Sequence, residues 1–138
     1  MALILDTGPV YASIDRSDAD HQRCRALIEQ ATEPLLIPSP VLVELDYLIK
    51  RSLHAGVLVS LLDDLVSGAY LVVDPAPSDF RRIAELCDRY ADSDIGFVDA
   101  AVLAIVERHD EPKLATLDHR HFGLMRPRHV AALRLLPE

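Results

Sequence analysis

Four carboxylates stand out in this chain by where they fall. Asp6 directly follows the apolar run ALIL (2–5), and Asp118 directly follows LATL (114–117). Glu44 lies in PVLVELDYLIK (40–50), with Pro40 and Val41 one helical turn before it and Tyr47 and Leu48 one turn after. That neighbourhood predicts that Glu44 points inward, whereas Asp46, with Lys50 four residues on, reads as a surface pair. Asp99 is the only ionisable residue from Ile95 to Val106. A helix apolar all round is buried, and a carboxylate there is costly unless something pairs with it. No lysine or arginine flanks Asp6, Glu44 or Asp99, and only Asp118 has one close by, Arg120. If these acids converge, they must be protonated, neutralised by basic side chains, or bound to hard cations. An oxygen-only donor set suits Mg²⁺ or Mn²⁺.

The elements around them decide whether they converge. Short apolar runs at 2–5, 35–37, 70–73, 113–117 and 133–136 read as strands. Helix-period segments lie between them. One is capped at Ser17 and continues through Ala31, and another opens at Ser39-Pro40 and runs to about Leu53. Others cover 55–67 before Gly68, Pro77 to about Tyr90, and Phe97 to about His109. Asp6-Thr7-Gly8-Pro9 reads as a turn. This alternation predicts a single α/β domain over 1–138, with a mostly parallel central sheet of four to five strands flanked by helices. Strands written as continuous apolar runs fit a sheet covered on both faces. Ligands of such sheets bind beyond the carboxyl ends of the strands. Asp6 and Asp118 sit at strand ends, while Glu44 and Asp99 sit in the first turns of their helices. All four therefore map to one rim.

Composition bounds the possibilities. The chain has 138 residues, 50% of them hydrophobic, and a formal net charge of -8. That is too apolar for a disordered acidic tail and too acidic for a general nucleic-acid coat protein. It leaves room for a nucleic-acid enzyme with cations in a carboxylate pocket. No apolar run is long enough to span a membrane, and MALILDTGPV lacks the basic start of a signal peptide. Cys24 and Cys87 both fall in helix-like patterns and read as reduced and structural, which predicts a cytoplasmic protein. His21-x-x-Cys24 would need two further ligands to hold a soft metal.

At this point the chain resembles the PIN-domain nucleases, and among them the toxins of VapBC-type toxin–antitoxin modules. The resemblance is carried by LILDTGP around Asp6, PSPVLVELDYL around Glu44, DIGFVDAAVLA around Asp99 and LATLDHRHF around Asp118. It spans nearly the whole chain, in order and at the family's spacing. It implies a Mg²⁺-dependent endoribonuclease, with Mn²⁺ as a substitute, that inhibits translation and growth. Asp6, Glu44, Asp99 and Asp118 match the acidic quartet of the family, and Thr7 and Thr116 match supporting hydroxyl positions. The resemblance also implies a homodimer and a cognate antitoxin that blocks the site. Oxygen-bound metal chemistry activates water for in-line attack, which leaves a 5′ phosphate and a 3′ hydroxyl. Relatives of this type cut tRNA or ribosomal RNA.

Other segments add detail. HRHFGLMRPRH (119–129) directly follows Asp118, carries Arg120, Arg126 and Arg128, and has no acid. Either Arg120 and Arg126 contact RNA phosphates, or the segment is a solvated loop whose charges pair with the acid-rich surface. Asp94 is five residues before Asp99, about 140° away on a continuing helix, so it joins the site only from a loop. The bland reading is that Asp92 and Asp94 favour the helix start electrostatically. LHAGVLVSLLDDLVSGAYLVV (53–73) is apolar over a wide arc, part core and part interface. A receiver-like regulatory module would need paired acids after the first strand and a late lysine. Here Asp6 stands alone and Lys113, the last lysine, precedes its strand. A haloacid-dehalogenase-like phosphatase needs Asp-x-Asp, but position 8 is Gly8. An inactive PIN-like interaction module is disfavoured by the intact quartet.

Overall fold

The five apolar runs become five strands in the computed structural model, which describes residues 1–138. They are β1 (Leu3–Ile4), β2 (Leu35–Pro38), β3 (Leu71–Val73), β4 (Lys113–Ala115) and β5 (Arg134–Leu136). Every pairing is parallel: β1 with β2, β2 with β3, and β4 with β5. A single parallel bridge, Leu5 to Ala115, joins the two ribbons, and the Asp6 N–H donates to the Ala115 carbonyl at 2.9 Å. Across the sheet the order is therefore β3-β2-β1-β4-β5. The chain winds outward in one direction from β1 and in the other from β4. The seam between them is the switch point at which open parallel sheets form their ligand crevices.

Seven helices cover this sheet: α1 (Thr7–Ile14), α2 (His21–Glu29), α3 (Ser39–Ser52), α4 (Ala55–Ser67), α5 (Pro77–Arg89), α6 (Phe97–Arg108) and α7 (His119–Leu124). Their boundaries follow local chemistry. Proline stands at the start of α3 and α5, where its missing N–H costs nothing. The Asp79 carboxylate reaches back to the Ala76 N–H at 2.7 Å and closes the start of α5. Gly68 ends α4 with φ 84, a conformation that glycine adopts without strain. In α6 every residue from Ala100 to Val106 is buried, as its unbroken apolar run predicts. Arg82 on α5 ties down that helix through Glu107 at 2.8 and 3.0 Å. Both cysteines are free thiols, Cys24 buried and Cys87 half-buried. No helix is long and apolar enough to cross a membrane.

Three local expectations are corrected. Asp6-Thr7-Gly8-Pro9 is not a free turn, because Asp6 is the N-cap of α1 and Pro9 falls in its first turn. Gly8 lets that helix close on the end of β4, since a Cβ there would come within 3.2 Å of the Leu117 Cβ. The helix predicted from Ser17 begins only at His21. The Asp15 carboxylate holds the Ser17 N–H at 2.9 Å and the Ser17 hydroxyl at 2.7 Å, a turn that competes with helix. The segment 119–129 opens with α7, for which Asp118 supplies the cap by accepting from the His121 N–H at 3.0 Å.

Candidate metal centre

Asp6 leaves β1 at the seam with almost no exposure to solvent, 6%. Its Oδ2 accepts a hydrogen bond from Thr116 Oγ1 at 2.7 Å. Thr116 is fully buried just beyond β4, and the same hydroxyl accepts from the Asp118 N–H at 3.0 Å. One threonine thus couples the acids at the ends of two central strands. Thr7, in the first turn of α1, donates from Oγ1 to Glu44 Oε1 at 2.5 Å. Asp99 sits in the first turn of α6, and its Oδ2 lies 2.9 Å from His121 Nδ1. The same nitrogen is 2.9 Å from Asp118 Oδ2. Asp6, Thr7, Glu44, Asp99, Asp118 and His121 line one open hollow of about 560 Å³.

The electrostatics of this hollow are one-sided. The only basic side chain against these acids is the His121 imidazole, beside Asp99 and Asp118, so no guanidinium or ammonium neutralises the group. Burial pushes the Asp6 carboxyl up to about 6, against the hydrogen bonds from Thr116 and the Thr7 N–H that favour its anion. The charges of Asp99 and Glu44 push it further the same way. Asp99 is also raised, first by burial, with His121 opposing and the charges of Asp118 and Glu44 adding to the rise. Adjacent acids that resist ionising and have no lysine or arginine beside them form a pocket suited to a cation. The ligand atoms of Asp99, Asp118 and His121 lie within 4.8 Å of one another, and Asp6 and Glu44 face the same hollow. This oxygen-rich donor set fits a hard divalent cation.

The observation that decides the family is a match over most of the length: the sequence profile of the PIN domain matches residues 3–125. This chain belongs to the PIN domain family. The PIN domain is 29% identical over 125 residues to ribonuclease VapC26 of Mycobacterium tuberculosis, covering 91% of this chain and 93% of that protein. Among solved structures it resembles M. tuberculosis VapC20, a toxin that cleaves the sarcin–ricin loop, with TM-score 0.80 and 19% identity. The likeness covers 94% of this chain and 98% of that one. It also resembles the Rickettsia felis VapBC2 complex bound to a promoter DNA fragment, with TM-score 0.69 and 21% identity, covering 98% of this chain and 97% of that one. Membership removes the receiver and dehalogenase alternatives.

The PIN fold brings together all four acids and both threonines singled out in the sequence. Glu44 arrives differently from the expectation. It does not point inward but stands exposed at the rim, because the buried stripe of α3 is Val41, Leu45 and Ile49. Its apolar neighbours Val43 and Tyr47 are themselves 73% and 64% exposed, so an apolar neighbourhood did not mean core. Asp46 does pair with Lys50, at 3.4 Å. Asp94 is exposed at φ 60 after a short 3₁₀ turn and stays outside the hollow. Arg120 is exposed two residues beyond Asp118. Arg126 lies past the other end of α7, in a second hollow with Arg82, Arg89 and Arg128. His121 was not singled out in the sequence. The available signal was its position three residues after Asp118, which puts a helix-cap acid and a histidine on one turn.

Proposed function

We propose that this PIN domain is the ribonuclease toxin of a VapBC-type toxin–antitoxin pair, an endonuclease that cuts RNA and so stops translation and growth. The observation that carries this reading is the convergence of four carboxylates at the switch point with no lysine or arginine among them. The names of its relatives, a ribonuclease and a toxin that cleaves the sarcin–ricin loop, point the same way. Asp6, Asp99 and Asp118 would hold Mg²⁺, or Mn²⁺ in its place, with Glu44 at the open side. When bound, the cation polarises the scissile phosphate and lowers the pKa of water. The protein's own residues do the rest. Thr116 keeps Asp6 and Asp118 in register across the seam. Thr7 holds Glu44 against the rim, where it orients the attacking water. The partners are RNA, a cognate antitoxin and a second copy of the chain. Exposed Val59 and Val66 on α4, with Val43 and Tyr47 on α3, supply apolar surface for the protein partners. An RNA target of this kind places the reaction in the cytoplasm.

The test is cleavage of total RNA by the purified chain. Chelation is expected to abolish cutting, and either Mg²⁺ or Mn²⁺ to restore it, with 5′ phosphate and 3′ hydroxyl ends at the mapped sites. Cleavage that persists in chelator, or ends carrying a 3′ phosphate, would sink the proposal. The same cations should raise the melting temperature. A cation at a hundred times its Kd adds about 2.7 kcal/mol to the folded state.

Phosphate contacts fall to Arg120 and Arg126. Both are exposed, and neither side chain is taken up by an ion pair, whereas Arg128 pairs with Glu85. Arg126 lies two residues past the end of α7, a helix about 9 Å long that is capped by Asp118, so it meets the strand some way from the cut. Arg120→Ala and Arg126→Ala are each expected to weaken RNA binding and to lower the slope of log affinity against log salt by about 0.7. An unchanged slope with altered thermal stability would mean that these arginines serve the fold and not the RNA.

A further inference from the structure

The histidine that lies between Asp99 and Asp118 has a restricted chemistry. Its side chain is 15% exposed, and Nδ1 is 2.9 Å from Asp99 Oδ2 and 2.9 Å from Asp118 Oδ2. Its other ring nitrogen, Nε2, is sealed from solvent and has no hydrogen-bond partner. A neutral imidazole carries one N–H. Placed on Nε2, that N–H would be a buried donor without an acceptor, which is costly. It would also aim the Nδ1 lone pair at two carboxylate oxygens. Placed on Nδ1, the N–H donates to Asp99 Oδ2 with Asp118 Oδ2 also 2.9 Å from the nitrogen, and the buried Nε2 carries only a lone pair. The geometry therefore selects the Nδ1–H form. An Nδ1 that carries the proton has no lone pair to give to a cation. This separates His121 from the acids, although its ring atoms lie within ligand distance of theirs.

We propose that His121 is a positioning residue whose Nδ1–H clamps Asp99 and Asp118 together in the arrangement that receives the divalent cation. The inference rests on the metal-dependent reading of the site. Asp118 is the acid with most to gain. Its side chain is 38% exposed at the start of a short helix, and without a clamp it is free to swing into solvent. His121 meets it twice, by a hydrogen bond from its backbone N–H to Oδ1 at 3.0 Å and by the electrostatic attraction of the Nδ1–H for Oδ2, 2.9 Å from the nitrogen. Asp99 arrives from α6, 22 positions earlier in the chain, and is tied to α7 by the same proton. The acids then meet the cation already ordered.

The experiment compares Mn²⁺ affinity of the full chain with His121→Asn, His121→Gln and His121→Ala, read by titration and by the electron spin-echo spectrum of the bound ion. The asparagine amide nitrogen occupies the Nδ1 position, while that of glutamine reaches the Nε2 position. His121→Ala and His121→Gln are expected to bind Mn²⁺ about 10-fold more weakly, as for other residues that orient metal ligands, and His121→Asn to stay near wild type. In the metal-free wild type, ¹H–¹⁵N correlation spectra should show the ring proton on Nδ1. A proton on Nε2, or a nitrogen coupling to bound Mn²⁺ that disappears in His121→Asn, would overturn the clamp and make His121 a ligand. Loss in His121→Asn equal to that in His121→Ala would overturn it as well. Absence of any Mn²⁺ binding that depends on Asp99 would instead overturn the metal reading, and this inference with it.

Discussion

Asp99→Asn is expected to fold normally and to lose about 10³-fold of the divalent-dependent RNA cleavage, equivalent to ~4 kcal/mol of transition-state stabilisation. Asparagine keeps the shape of the side chain and an oxygen that still accepts from His121 Nδ1. It removes only the negative charge. Burial and the charges of Asp118 and Glu44 already disfavour that charge in the metal-free protein, so its loss does not weaken the fold. What it does weaken is the hold on the cation. Mapping RNA ends after induction of wild type beside Asp99→Asn, with melting curves for both, checks the two halves together. Cleavage at the wild-type rate would remove Asp99 from the site.

Asp6→Asn carries the second large effect, and it acts in opposite directions on stability and activity. The folded state holds the Asp6 proton up to about pH 6, against 3.8 for an ordinary aspartate. Between those values the folded protein binds more protons than the unfolded chain, so stability falls as pH rises. Below about pH 4 Asp6 imposes no charge penalty, and above its folded pKa the penalty is complete, about 3 kcal/mol for a shift of this size. Asparagine carries no such penalty at any pH. In the absence of divalent cation, the stability of Asp6→Asn relative to wild type is therefore expected to improve by about 3 kcal/mol between pH 4 and pH 7. Denaturant unfolding at the two pH values measures it. The same variant should be inactive on RNA. A pH-independent difference would mean that the Asp6 carboxylate is already compensated by the protein alone.

The opposition between stability and activity changes the meaning of the net charge of -8. Part of that charge sits at the seam, where it destabilises the metal-free fold and, on the proposed reading, would be offset by a bound cation. On the proposed reading the rest lies on the surface, where it resists indiscriminate attachment to RNA and leaves Arg120 and Arg126, which no ion pair takes up, for selective contacts.

Much of this was legible in the chain itself. Continuous apolar runs marked the five strands; β1, β2 and β4 are largely buried, where a sheet covered on both faces leaves no room for alternation, whereas the edge strand β3 keeps Leu71 and Val72 exposed. The acids ending the first and fourth runs marked the rim, and the lone Asp99 in an unbroken apolar helix marked a charge that needs a partner. Thr7 and Thr116 were reached only through the family resemblance, and their hydrogen-bonding roles emerged from the fold. The helix after Asp6 was hidden because Thr-Gly-Pro suits a turn as well as a first helical turn. Contacts from Leu117, more than a hundred positions away, accompany the helical choice.

What the sequence by itself determined is the identity, order and approximate height of the carboxylates, since strand ends and helix starts follow from local pattern. Only the tertiary structure decided where each side chain points. Glu44 stands at the rim because α3 buries the neighbouring stripe, and Arg126 is carried away from the acids by the length of α7. His121 becomes part of the site because α6 and α7 meet there. The hydrogen bond from Thr116 to Asp6 spans 110 positions. Local periodicity specifies which face a residue occupies, but it contains no information about which distant segment will pack against that face.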